Sequence, residues 1–180
     1  MPLPVDRELL KAFEESLDPS KPEESPIPAK VLGYGEISTI FEIIQESQRD
    51  IAYKRMPLFD DVQQVERYKE TYNKYNELLR EINIEIPEYG AIDVITDDGR
   101  IVLYLYQRKL PSDSIGNKII HAVSDDKVMI LVLKVLRELN KVWAFNRDNK
   151  PEIEVAIDGQ ISNWAIKDFD PENLVIDKDV

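Results

Sequence analysis

A single long helical pattern stands between two groups of short strand patterns. In the helical stretch, apolar and aromatic residues recur every three or four positions: Val65, Tyr68, Tyr72, Tyr75, Leu79 and Ile82. This spacing follows one face of an α-helix. Asp60 and Asp61 stand just before it, and aspartate is a favoured N-cap residue. We therefore predict one long helix that begins close to Asp61.

Five short segments flank this helix and carry β-branched or alternating apolar residues between turn residues. Three precede the helix and two follow it: Ala29–Gly33, Ile37–Gln45, Asp50–Met56, Tyr89–Thr96 and Arg100–Gln107. The last two are joined by Asp97-Asp98-Gly99, a favourable hairpin turn. The order predicts an antiparallel meander, the helix, and then a hairpin, so that five strands and one helix form the first half.

The second half is led by helices. Helical spacing is found at Ser114–Ala122 and at Asp126–Asn146, and short strands are predicted at Glu152–Ile157, Trp164–Ile166 and Leu174–Ile176. The predicted core stripe of the longer helix is Met129, Val132, Val135 or Leu136, Leu139, and Val142 or Trp143. We divide the chain into a short helix with a proline-rich arm (1–28), a sheet lobe (29–109) and a helical lobe (110–180).

Composition narrows the classes of function. The 180 residues include 23 basic and 35 acidic side chains, a formal charge of −12, and no cysteine. Nucleic-acid binding needs an excess of lysine and arginine, so we expect none. Disulfides and thiolate chemistry are excluded. The longest apolar run, Val128–Leu133, is too short to cross a bilayer and no signal peptide is visible, so we expect a cytoplasmic protein without membrane contact.

The first chemical motif is a glycine turn followed by a strand lysine. Gly33 and Gly35 lie between two predicted strands, where backbone N–H groups can cover phosphates because neither residue has a side chain. On the next strand, alternation places Lys54 on the same side as the small residue Ala52, which leaves space beside the ammonium group. Alone, the glycine pair is more often an ordinary turn, and the lysine is more often a solvated residue of a strand.

The second motif is a set of hard oxygen ligands in the helical half. Asp158 and Asn163 stand five residues apart in a polar loop, and Asp177 ends the apolar run Leu174–Ile176. A carboxylate can accept a proton from a hydroxyl group, and amide and carboxylate oxygens can bind magnesium. Taken singly, each aspartate is also typical of a turn or a helix cap.

In this order and at these distances, the motifs resemble those of the protein-kinase-like superfamily, and most closely its small-molecule branch of aminoglycoside and choline kinases. Gly33, Gly35 and Ser38 match its glycine-rich loop, and Lys54 in Ile-Ala-Tyr-Lys matches its strand lysine. Asp158 matches its catalytic aspartate, and Asn163 and Asp177 match its two metal ligands. The resemblance covers the chain from about Ala29 to the end.

The resemblance implies a two-lobed α+β fold: a five-stranded antiparallel N-lobe with a long helix, then a truncated helical C-lobe. It implies ATP and magnesium as cofactors and phosphoryl transfer to a small-molecule hydroxyl group. The implied roles are phosphate binding by Lys54, metal binding by Asn163 and Asp177, and proton acceptance by Asp158. Adenine is expected near Gln107, in the connector that follows the last strand of the sheet lobe.

The resemblance leaves three points open. A helix glutamate should position Lys54, with Glu70 the best fit by distance and Glu77 the second. Ala156-Ile157 stands where the superfamily has histidine followed by arginine or glycine, which leaves a non-catalytic, pseudokinase-like nucleotide-binding module as the alternative. The remaining C-lobe helices are expected either from a missing C-terminal segment or from a protein partner.

Overall fold

The computed structural model describes residues 3–34 and 38–167. Within them, four α-helices and five strands are formed. The helices are α1 (Arg7–Ser16), α2 (Val62–Glu81), α3 (Gly116–Ala122) and α4 (Asp125–Asn149). The strands are β1 (Ala29–Tyr34), β2 (Thr39–Ile43), β3 (Ile51–Phe59), β4 (Tyr89–Ile95) and β5 (Ile101–Arg108).

The strands form one antiparallel sheet in the order β1-β2-β3-β5-β4. The prediction of an α+β protein with a five-stranded antiparallel sheet and a long helix between the third and fourth strands is confirmed. Gly99, in the predicted β4–β5 turn, has φ +84°, a conformation that glycine adopts without a steric penalty. Because that turn joins neighbouring strands, it sets the register in which Ile95 pairs with Ile101.

The chain divides into two compact units. The first comprises Met1–Lys74 and Pro87–Lys109, and the second comprises Tyr75–Ile86 and Leu110–Val180. The first unit therefore holds α1, the sheet and most of α2. The second holds the end of α2 together with α3 and α4.

In the first unit, α1 packs on one face of the sheet. Leu10 and Phe13 of α1 are fully buried, and they contact sheet residues that include Phe41, Tyr53 and Tyr104. The rings of Phe13 and Phe41 have centroids 5.0 Å apart. The N-terminal helix is thus part of this core.

A charged residue is buried between α1 and the sheet. Glu14 of α1 is 2% exposed and accepts hydrogen bonds from the guanidinium of Arg55, at 2.8 and 2.5 Å, and from the Tyr104 hydroxyl, at 2.5 Å. The bond to Glu14 outweighs desolvation and raises the pKa of Arg55. Burial, and then the charge of Glu14, raise the pKa of Tyr104. Both partners consequently remain protonated, which keeps them hydrogen-bond donors to the buried carboxylate.

Helix α2 covers the opposite face of the sheet. Its buried Val65 lies in a cluster with Met56, Leu103 and Leu105. The predicted start is confirmed, since the Asp61 carboxylate accepts a hydrogen bond from the Gln64 N–H at 2.8 Å. This is the geometry of an N-cap bonded to the third helical residue.

The second unit has a smaller core around the end of α2. Leu78, Leu79 and Ile82 pack with Val142 of α4 and with Val155 of the segment after it. The predicted strand at Glu152–Ile157 is wrong, because this segment has no strand partner. The apolar residues of this segment alternate because Ile153, Val155 and Ile157 all pack into the core around the end of α2.

Two further strand predictions in this unit have different outcomes. At Trp164–Ile166 only one bridge forms, in which Ala165 pairs with Ile115. The third predicted strand, at Leu174–Ile176, lies outside the described residues.

The predicted core stripe of α4 is only partly buried. Val142 is buried, and Val135 and Leu139 are half-buried on the same side as the buried Leu131. The other members of the stripe are exposed: Met129, Val132, Leu136 and Trp143, the last by 55%. The helix is apolar on two sides, and periodicity alone did not distinguish which side the rest of the unit covers.

Candidate functional site

Lys54 lies on the face of the sheet that α2 covers. In an antiparallel sheet, directly opposed residues share a face. Lys54 is opposed to Ile40 on β2 and to Leu105 on β5, and Ile40 is opposed to Gly33 on β1. Leu105 belongs to the cluster around Val65 of α2. The predicted glycine and the predicted lysine therefore lie in one cross-strand row.

The surroundings of Lys54 leave its ammonium group available. Lys54 is half-buried, and its ammonium group forms no hydrogen bond or ion pair with any other residue of the described ranges. Ala52, two residues earlier on the same face, is 8% exposed and is opposed to Gln107 on β5. An ammonium group without a counterion among the described residues is able to bind an anionic ligand.

Neighbouring antiparallel strands, β1 and β2, flank the predicted glycine turn. Gly33 lies in β1, Tyr34 pairs with Thr39 of β2, and Ser38 is half-buried immediately before that strand. A Cβ atom added at Gly33 would meet no atom within 4 Å. Open space, rather than a neighbouring side chain, surrounds Gly33. The second glycine, Gly35, lies outside the described residues.

The α2 residue that pairs with the sheet is a lysine. Glu70 is exposed and forms no ion pair with Lys54 in this structure. Lys69 instead contacts Asp93 of β4 at 2.7 Å and Glu66 at 2.9 Å. The assignment of Glu70 as the partner of Lys54 stays a prediction.

The ion pair between Lys69 and Asp93 changes both pKa values. Desolvation acts against both charges, but their mutual hydrogen bond and attraction outweigh it. The pKa of Lys69 is raised and that of Asp93 is lowered, with a further contribution from Arg7 to Asp93. Sequence reasoning missed this pair, although an aspartate within the apolar pattern of β4 was a signal for it.

In the second unit, Asp158 and Asn163 lie on an exposed loop. The Asp158 carboxylate accepts a hydrogen bond from the Gln160 N–H at 3.0 Å, and Asn163 ends a short 3₁₀ turn at Ile161–Asn163. This is an Asx turn, one of the structural roles expected of an aspartate. Burial, and then the charge of Asp158, raise the pKa of Tyr75.

Two anchors hold this loop. On its N-terminal side, the Asn146 side chain donates to the Val155 carbonyl at 2.7 Å and accepts from the Val155 N–H at 2.8 Å. On its C-terminal side, the Gly116 N–H donates to the Trp164 carbonyl at 2.8 Å. A bond of 2.9 Å from the Ile166 N–H to the Ser114 carbonyl completes the second anchor. The loop is exposed, but its two ends are fixed.

A cavity of about 650 Å³ lies beside the loop, in the second unit. Its lining combines apolar side chains, among them Leu131 and Ile161, with basic ones such as Lys134. Trp164 also lines it, and its indole N–H is buried without a hydrogen-bond partner in the described part of the chain. This volume is within the usual range for small-molecule sites.

The predicted magnesium ligands are Asn163 and Asp177. Among residues 3–34 and 38–167, no group of three or more acidic or histidine side chains could hold a metal ion. Asp177, the second predicted magnesium ligand, lies outside those residues. Asn163 and Asp158 are exposed, so both have free oxygen atoms on the loop surface.

The fold and the site define an α+β protein with an antiparallel sheet, a sheet lysine that has no counterion among the described residues, and an anchored polar loop. The chain belongs to DUF6206, a family of unknown function, whose model matches residues 20–176. A comparison with curated proteins gives no match. No helix in the described part is long and apolar enough to cross a membrane.

Proposed function

We propose that the protein is a kinase-like phosphotransferase of the two-lobed fold, which binds ATP and magnesium and acts on a small-molecule hydroxyl group. In the first unit, Gly33, Gly35 and Ser38 cover the phosphates and Lys54 neutralises them. In the second unit, Asn163 and Asp177 hold magnesium and Asp158 accepts the proton of the hydroxyl group.

The observation that carries this proposal is the position of Lys54. A half-buried cation usually has a counterion, because desolvation without one is unfavourable. Lys54 has none among the described residues and lies in the same row as Gly33, over which there is open space. A phosphate chain would supply the missing negative charge, and Gln107 on the same face is available to adenine.

Two features of the second unit support the remaining roles. Asp158 and Asn163 belong to one loop whose ends are fixed, and fixed ligands are what phosphoryl transfer requires, since its catalysis is mostly positioning. The cavity beside this loop has the size of a small-molecule site, which favours a small acceptor over a protein substrate.

The alternative is a non-catalytic nucleotide-binding module. It is favoured by the Asx turn of Asp158, which gives that carboxylate a structural role, and by Ala156-Ile157 at the position of the superfamily's histidine motif. In this case ATP and magnesium bind, but no phosphoryl group is transferred.

Replacing Lys54 with methionine is expected to weaken Mg-ATP binding by roughly 10-fold or more, because a charge-assisted phosphate contact is lost. A thermal-shift titration measures this, since a ligand at 100 times its dissociation constant stabilises a protein by about 2.7 kcal/mol. The matched control is Lys74→Met, at an exposed position of α2. Equal shifts in wild type and in Lys54→Met would contradict the phosphate-binding role.

Asp177→Ala is expected to weaken Mg-ATP binding by roughly 10-fold or more, as a charged metal ligand is removed. Asp158→Ala should leave binding within roughly a few-fold and abolish phosphoryl transfer, because a proton acceptor acts only when the hydroxyl group reacts. Calorimetry on both variants tests this, with Asp179→Ala as the control for Asp177. Binding without turnover in wild type would establish the non-catalytic alternative, and no binding would refute both.

A further inference from the structure

An exposed apolar face runs along α4. Five large hydrophobic side chains on this helix are exposed by 40–60%: Met129, Val132, Leu133, Leu136 and Trp143. At 3.6 residues per turn they occupy about one third of the helix circumference. Single exposed hydrophobic residues are common on protein surfaces, but a continuous stripe of this kind marks an interaction site. We call these five residues the α4 stripe.

The core of the second unit, as its described residues form it, does not include the α4 stripe. It packs instead on the other side of the helix, where Leu131 and Val142 are buried. A surface helix of a globular protein is normally polar on the side away from the core. The apolar residues on both sides of α4 therefore indicate a second packing partner.

The stripe is symmetric about its central residue. Met129 precedes Leu136 by seven residues and Trp143 follows it by seven, which is two helical turns in each direction. Asp125 and Arg147 stand eleven residues before and after Leu136, so the same face ends in an acidic and a basic residue. An identical helix laid antiparallel across Leu136 would meet opposite charges at both ends.

The charges at the two ends of the stripe are free to make such contacts. Arg147 pairs only with its neighbour Asp148 among the described residues, and the two side chains are 73% and 64% exposed. Exposed pairs of this kind contribute little to stability. Asp125 is exposed in the first turn of α4, and Arg147 lies in its last turn. Antiparallel packing also places the positive end of each helix dipole beside the negative end of the other.

We propose that the α4 stripe is a homodimer interface, in which α4 packs antiparallel against α4 of a second copy. Leu136 meets Leu136 at the twofold axis, Met129 meets Trp143, and Asp125 pairs with Arg147 on each side. Such an interface is isologous, as in most soluble homodimers.

The oligomeric state of the full chain tests this directly. By sedimentation velocity, wild type should shift with rising concentration from 20.9 kDa to twice that mass. Leu136→Asp should raise the dissociation constant by roughly 100-fold or more, because it places two carboxylates at the centre of the interface. Leu136 is already 42% exposed, so the fold should be retained, as circular dichroism would verify. The control is Leu58→Asp, at a comparably exposed position on β3.

Charge exchange tests the antiparallel register. Asp125→Arg and Arg147→Asp should each weaken self-association, since each creates two like-charge pairs. An equal mixture of the two variants should associate again, because a heterodimer restores both opposite-charge pairs. A wild type that stays monomeric, or association that Leu136→Asp leaves unchanged, would overturn the interface. Failure of the mixture to associate would overturn the antiparallel arrangement.

Discussion

Replacing Glu14 with alanine is expected to lower the free energy of unfolding by about 3 to 5 kcal/mol, the usual cost of removing one partner of a buried ion pair. The Glu14 side chain is 1% exposed and that of Arg55 is 16% exposed, so the guanidinium would keep its charge with little access to water. The Tyr104 hydroxyl would also lose its acceptor. Urea unfolding followed by circular dichroism measures the change.

The matched control for Glu14→Ala is Lys11→Ala on the same helix. Lys11 pairs with Asp97, whose side chain is 83% exposed. Exposed ion pairs contribute little, so this variant should hardly change the free energy of unfolding. A loss below about 1 kcal/mol for Glu14→Ala would mean that water enters the interface and solvates Arg55.

The Glu14 network also shows where sequence reasoning ended. Glu14 is 41 residues from Arg55 and 90 from Tyr104. Helical spacing places Glu14 on the apolar face of α1, next to Leu10, and the exposed Glu15 off that face, but nothing local in α1 identifies its two distant partners. By contrast, α2 and the β4–β5 hairpin were predictable because their signals are local: a helical period with an aspartate cap, and a turn with glycine at positive φ.

In the candidate site, too, the local features were predictable from the sequence and the long-range contact was not. Alternation along β3 predicted that Ala52 and Lys54 share a face, and the meander predicted a glycine turn next to them. Which residue of α2 faces the sheet depends on how the helix is rotated, and a stripe of tyrosines does not define that rotation sharply. The sequence therefore did not show that Lys69, rather than a glutamate, pairs with the sheet.

Gly116→Ala is expected to destabilise the protein by about 2 to 3 kcal/mol, which is the upper range for overpacking a close contact. Gly116 begins α3, and a Cβ atom there would fall well inside van der Waals contact with the Ile161 carbonyl oxygen. The obstacle is backbone, which cannot rotate away as a side chain can. The substitution therefore displaces the segment whose Trp164 carbonyl accepts from the Gly116 N–H.

The effect of Gly116→Ala should be concentrated at the loop of Asp158 and Asn163. Hydrogen exchange should accelerate at the amide of Ile166, which donates to the Ser114 carbonyl in the same anchor. The control is Gly159→Ala in that loop, where the added atom would lie 3.4 Å from the flexible end of Leu139. This variant should change stability by about 0.5 kcal/mol or less. Equal losses in the two variants would mean that Gly116 does not anchor the loop.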